Sequence, residues 1–127
     1  MTITPLPMSV ESLMRVAARR TMEATVQRGA TIFLNEPARL RFVIPNVAEY
    51  TAIELRELLE HRIVALEEAL RSGSWMYDLN GHLALKQARC AANDPAFDKI
   101  WENYRSEISE FKSAIDRLNL AKRGQRK

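Results

Sequence analysis

Residues 94–120 read DPAFDKIWENYRSEISEFKSAIDRLNL, and this stretch decides the fold class. Asp94 has the side chain of a helix N-cap. Pro95 suits the first helical position, because its missing N–H would have no partner there. Phe97, Trp101, Tyr104, Ile108, Phe111, Ile115 and Leu118 then recur at spacings of 4, 3, 4, 3, 4 and 3. That is an unbroken a/d stripe, about 32 Å long at ~1.5 Å per residue. Acids dominate its start and bases its end, as the helix dipole favours. A long helix over 94–121 follows.

Working back along the chain, a second helix is expected over 47–72. Pro45 closes the preceding segment, and Asn46 with Glu49 or Thr51 with Glu54 can form a capping box. Leu59, Ile63, Leu66 and Leu70 stand at 4-3-4 spacing, and Ser72-Gly73-Ser74 ends the pattern. These two helices are expected to form the main antiparallel pair, with the bulky stripe as its core. Residues 75–93 admit two readings. Trp75, Tyr77 and Leu79 alternate ahead of Asn80-Gly81, Leu83 and Leu85, which resembles a hairpin. A two-residue loop, however, sets Asp78 against Leu83 and Leu79 against His82. The helix formers over 83–89 favour a turn and a short connecting helix over 82–92.

Nearer the N-terminus, Pro5 and Pro7 mark residues 1–8 as an extended lead-in. Ser9 can cap a helix over 9–28 whose stripe is Val10, Leu13, Met14, Ala17, Thr21 and Ala24, with Gly29 as its stop. Thr31–Leu34 and Arg39–Ile44 flank Asn35-Glu36-Pro37-Ala38. Leu40, Phe42 and Ile44 alternate with Arg39, Arg41 and Val43. That pattern predicts a small antiparallel β-hairpin over 31–44. The expected architecture is mainly α (α+β): one domain over 9–121, and a basic flexible tail over 122–127.

Composition narrows the function classes. A chain of 127 residues, 46% hydrophobic, suits one folded domain. A single cysteine excludes a disulfide framework and a cysteine-based zinc site. No run approaches the length of a membrane span, and the opening MTITPLPMSVE lacks a signal-like pattern, so a cytoplasmic protein is expected. The net charge of +3 is local: residues 117–127 hold five bases and no acid, and the rest of the chain stands at −2. No nucleophile sits beside a base. His61 with Glu57 one turn back is too sparse for a metal site, Cys90 has no histidine within helical reach, and the four glycines form no phosphate loop. No catalytic, cofactor-binding or metal-binding residue is assigned, and no small-molecule substrate is implied.

Two function classes remain. The first is a non-enzymatic interaction protein (an adaptor, assembly factor or inhibitor) that meets another protein or itself, as a possible homodimer, through Trp101, Tyr104, Ile108 and Phe111. The second is a nucleic-acid accessory subunit using Arg15, Arg19, Arg39, Arg41, Lys122, Arg123, Arg126 and Lys127. An arginine-bearing strand followed by a helix over 39–70 is similar to the ribbon-helix-helix DNA-binding pattern. That pattern needs a second helix after a turn, which 47–72 does not provide, so the family is not assigned.

Overall fold

The computed structural model describes residues 9–74 and 78–125. The lead-in, the Trp75–Tyr77 arm of the alternative hairpin, Arg126 and Lys127 lie outside the described residues. Four α-helices carry the fold: α1 (Val10–Asn35), α2 (Ala52–Arg71), α3 (Leu79–Ala92) and α4 (Phe97–Gln125). Two 3-10 turns, Pro37–Phe42 and Val47–Glu49, join α1 to α2. Among the described residues no helix is long and apolar enough to cross a membrane.

The expected β-hairpin over 31–44 is absent, and the burial pattern says why. Gly29 does not stop α1, which runs on through Thr31–Leu34 to Asn35. Ala30 and Phe33 are buried and Leu34 half-buried, at the 3-4 spacing of a helix face. Pro37 then opens a 3-10 turn, where its fixed φ and missing N–H do no harm. Within 39–44 a strand would have buried Leu40, Phe42 and Ile44 together. Instead Leu40 and Ile44 are buried with Val43 half-buried, and Phe42 is 83% exposed. The apparent period of two was a helical i, i+3, i+4 set with an exposed phenylalanine between its members. Without that strand the similarity to the ribbon-helix-helix pattern lapses.

Helix starts are set by side chains. The Ser9 hydroxyl accepts the Ser12 N–H. Of the two possible boxes before α2, the Thr51 box forms: the Thr51 hydroxyl accepts the Glu54 N–H, and the Glu54 carboxylate accepts the Thr51 N–H. That backbone hydrogen bond holds the Glu54 carboxyl below its ordinary value. Asn46 makes no side-chain cap. At α4 the Asp94 carboxylate accepts the Ala96 N–H, and the helix proper begins at Phe97.

The core is organised around α3. Its Ala88, Ala91 and Ala92 are fully buried, and these small side chains let neighbouring backbones approach closely. The most extensive helix contact is α1 with α3, followed by α2 with α3; α2 and α4 meet over only a few residues. The expected α2–α4 pair is therefore not the principal one. Where α1 crosses α3, a Cβ on Gly29 would run into Gln87, whose amide donates to the Thr25 carbonyl at 3.1 Å. Arg56 of α2 ties two further elements, donating to the Ala92 carbonyl at 3.0 Å and to Asp98 at 2.6 Å. Arg89 of α3 adds an ion pair with Glu60 at 3.4 Å.

Candidate docking surface

The a/d stripe of α4 divides in two. Phe97 and Trp101 are completely buried, with ring centroids 5.6 Å apart and nearly parallel planes. The Trp101 indole N–H donates to the Tyr50 carbonyl at 2.8 Å. Tyr104, half-buried, lies against Trp101 with centroids 5.2 Å apart. Ile108 is half-buried where α4 leaves the body of the molecule. Beyond it the same stripe has no cover: Phe111 is 64% exposed, Ile115 40% and Leu118 63%. The stripe is core at its N-terminal end and surface at its C-terminal end.

Local sequence explains the division. The 3-10 turn at Val47–Glu49 and its flanks meet the first half of α4, with hydrogen bonds to Trp101 and Arg105. Val47 is buried against the core, and the Arg105 guanidinium donates to the Ala48 carbonyl at 3.1 Å and pairs with Glu102. Beyond Ile108 no described element covers α4, and Glu110–Gly124 are exposed throughout. A hollow of about 240 Å³ opens at the junction, lined by Arg41, Pro45, Glu49, Tyr104, Ile108 and Lys112. A second, of about 320 Å³, borders Ile108 between Arg105, Ser109 and Lys112.

The residues expected at the surface therefore have different fates. Trp101 is core, Tyr104 and Ile108 form the root of the exposed stripe, and Phe111 lies wholly on it. Arg41, expected on a strand, stands in the first 3-10 turn and shares one hollow with Lys112, a juxtaposition that sequence reading misses because the two lie on separate elements. The candidate cations lie on separate elements. Arg15 and Arg19 stand on exposed turns of α1, and Arg39 is engaged by Glu36 at 2.6 Å. Lys122 and Arg123 are exposed on the last turns of α4, which continues as helix into the segment expected to be a flexible tail. The first turns of α1 are uncovered as well: Val10, Leu13 and Met14 are exposed.

Other candidate chemistry is sparse. His61 and Glu57 are exposed on α2, and no group of three or more His, Cys, Asp or Glu side chains among the described residues is placed to hold a metal. Cys90 is half-buried beside an open hollow of about 380 Å³ bordered by Arg19, Met22, Lys86 and Arg89. His82 is buried in the first turns of α3, 3.9 Å from the Glu67 carboxylate. Burial, reinforced by Lys86 and Arg89 against the opposing pull of Glu67, holds its pKa below the ordinary 6.5. Comparison of the chain with protein-family models, with curated proteins and with solved structures gives no match.

Proposed function

We propose that this chain works by contact: it is a non-enzymatic protein–protein interaction module, an adaptor, assembly factor or inhibitor, that docks a partner on the distal half of α4. One observation carries the reading. A single helical stripe is fully buried at Trp101 and almost two-thirds exposed at Phe111 and Leu118. A solitary exposed leucine needs no explanation, but a continuous bulky stripe that outruns its own core does. Helix-in-groove recognition uses anchors at this i, i+3, i+4, i+7 spacing.

The test is site-specific photo-crosslinking in cells. A benzophenone side chain at Leu118 should yield one discrete adduct, and the same group at Arg117, exposed on the side of α4 away from Ile115 and outside both hollows, should yield none. Adding Ile115→Glu should abolish the Leu118 adduct while the purified variant keeps its melting temperature. Equal adducts from both faces, or none from either, would sink the reading.

A further inference from the structure

The flanks of the exposed stripe are not alike. On one side, the residues one step beyond the stripe positions Tyr104, Phe111 and Leu118 are Arg105, Lys112 and Asn119. On the other, those just before Ile108, Ile115 and Lys122 are Glu107, Ala114 and Ala121. The basic flank continues onto the body, where Arg41 faces the same hollow as Lys112, Tyr104 and Ile108. Arg105 is occupied by Glu102 and the Ala48 carbonyl, and Glu49 stands on the rim of the hollow. Arg41 and Lys112 are both exposed. Lys122 then takes the next stripe position after Leu118, adding a third cation at the far end. The alanine side lets another backbone come close, and the basic side asks for acids.

We propose that the occupant of this face is an acidic amphipathic helix of another protein, its apolar stripe on Ile108, Phe111, Ile115 and Leu118 and its carboxylates toward Arg41, Lys112 and Lys122. This rests on the docking reading above and adds the chemistry of the partner. A second copy of the chain fits less well in either direction. Aligned in parallel, two α4 helices would bring together stripes that each molecule's own body already covers at Phe97 and Trp101. Aligned antiparallel with Phe111 against Ile115, they would set Lys112 against its own copy, and like charges facing each other repel. A nucleic acid would use the cations but leave Phe111, Ile115 and Leu118 without an apolar counterpart.

Two labelled synthetic helices test this against the full chain by fluorescence anisotropy. Each carries the same leucine stripe, flanked by glutamates in one and by lysines in the other. The glutamate peptide should bind roughly tenfold tighter, since each exposed charge pair supplies a factor of about two to five. The gap should narrow as salt is raised from about 50 to about 300 mM. Lys112→Glu combined with Arg41→Glu should reverse the preference, and Phe111→Glu should weaken both peptides; all three sites are exposed, and unchanged thermal melts would confirm intact folds. Equal, Phe111-dependent binding of both peptides overturns the acidic partner while leaving the docking surface standing. Binding of neither peptide overturns the proposal, and binding of both that ignores Phe111→Glu removes the docking surface as well. Displacement of the glutamate peptide by a random DNA duplex, lost in the Lys112→Glu, Arg41→Glu variant, would assign the face to nucleic acid. A two-copy mass in light scattering that Phe111→Glu abolishes would assign it to a second copy.

Discussion

Trp101 and Phe111 share a stripe and a chemistry, yet they should respond oppositely to truncation. Trp101→Ala removes a fully buried ring stacked on Phe97 and should destabilise by about 3–5 kcal/mol in urea unfolding. Trp101→Phe keeps most of the packing but takes the donor from the Tyr50 carbonyl, for about 1–3 kcal/mol. Phe111→Ala should stay within about 0.5 kcal/mol of the parent, because the side chain already faces water. His82 supplies a pH dependence whose sign is determined by its burial. Its folded pKa lies below the unfolded value near 6.5, so the unfolded chain binds the extra proton. The stability tied to neutral His82 is fully present above that value and falls as pH drops from about 6.5 toward the folded pKa. Urea midpoints at pH 7.5 and 5.5 should differ more for the parent than for His82→Gln. An equal difference in both proteins would mean that other groups titrate in this window.

At the scale of elements, what was legible depended on whether side chains or backbone approach carried the signal. The Ser9 cap, the Thr51–Glu54 box and the α2 stripe of Leu59 and Ile63 were readable, because each is a local pattern of side-chain chemistry. The helical end of α1 was readable in principle, since Val26, Ala30 and Phe33 keep the 4-3 spacing across Gly29. The β-branched Thr31 and Ile32 and the alternation at Leu40, Phe42 and Ile44 masked it, and tertiary packing overrode those propensities. The central role of α3 was not readable, because three buried alanines make almost no hydrophobic pattern. Their smallness is the point: Ala88→Leu or Ala91→Leu should overpack the junction and cost about 1–3 kcal/mol or more. Gly29 gives a sharper contrast, for Gly29→Ala gains about 1 kcal/mol of helix propensity while displacing Gln87 from the Thr25 carbonyl. The two effects should nearly cancel. Gly29→Leu, too large for Gln87 to evade, should be clearly destabilising, and a melt as high as the parent's would mean the α1–α3 crossing is looser than its geometry implies.

For the whole molecule, the division of the α4 stripe makes the candidate site only half legible in sequence. The residues could be named, but which of them were core depended on where the other described elements meet α4. The same division locates the charge. Residues 111–127 hold six Lys and Arg and a single Asp, so the body without them stands at −2 and the basic character belongs to the overhang. Truncation after Glu110 removes side chains that are exposed in every described case, and leaves Phe97, Trp101 and the Arg56–Asp98 pair in place. The truncated protein should keep a cooperative melt close to that of the full chain while losing the glutamate-flanked peptide altogether. In the full chain, amides over 112–122 should exchange with solvent far faster than those over 98–106, since they lie outside the packed unit. The bound peptide should slow them selectively. Uniform protection along α4 before any peptide is added would mean that something already covers the overhang, and light scattering on the same sample would show whether that cover is another copy of the chain.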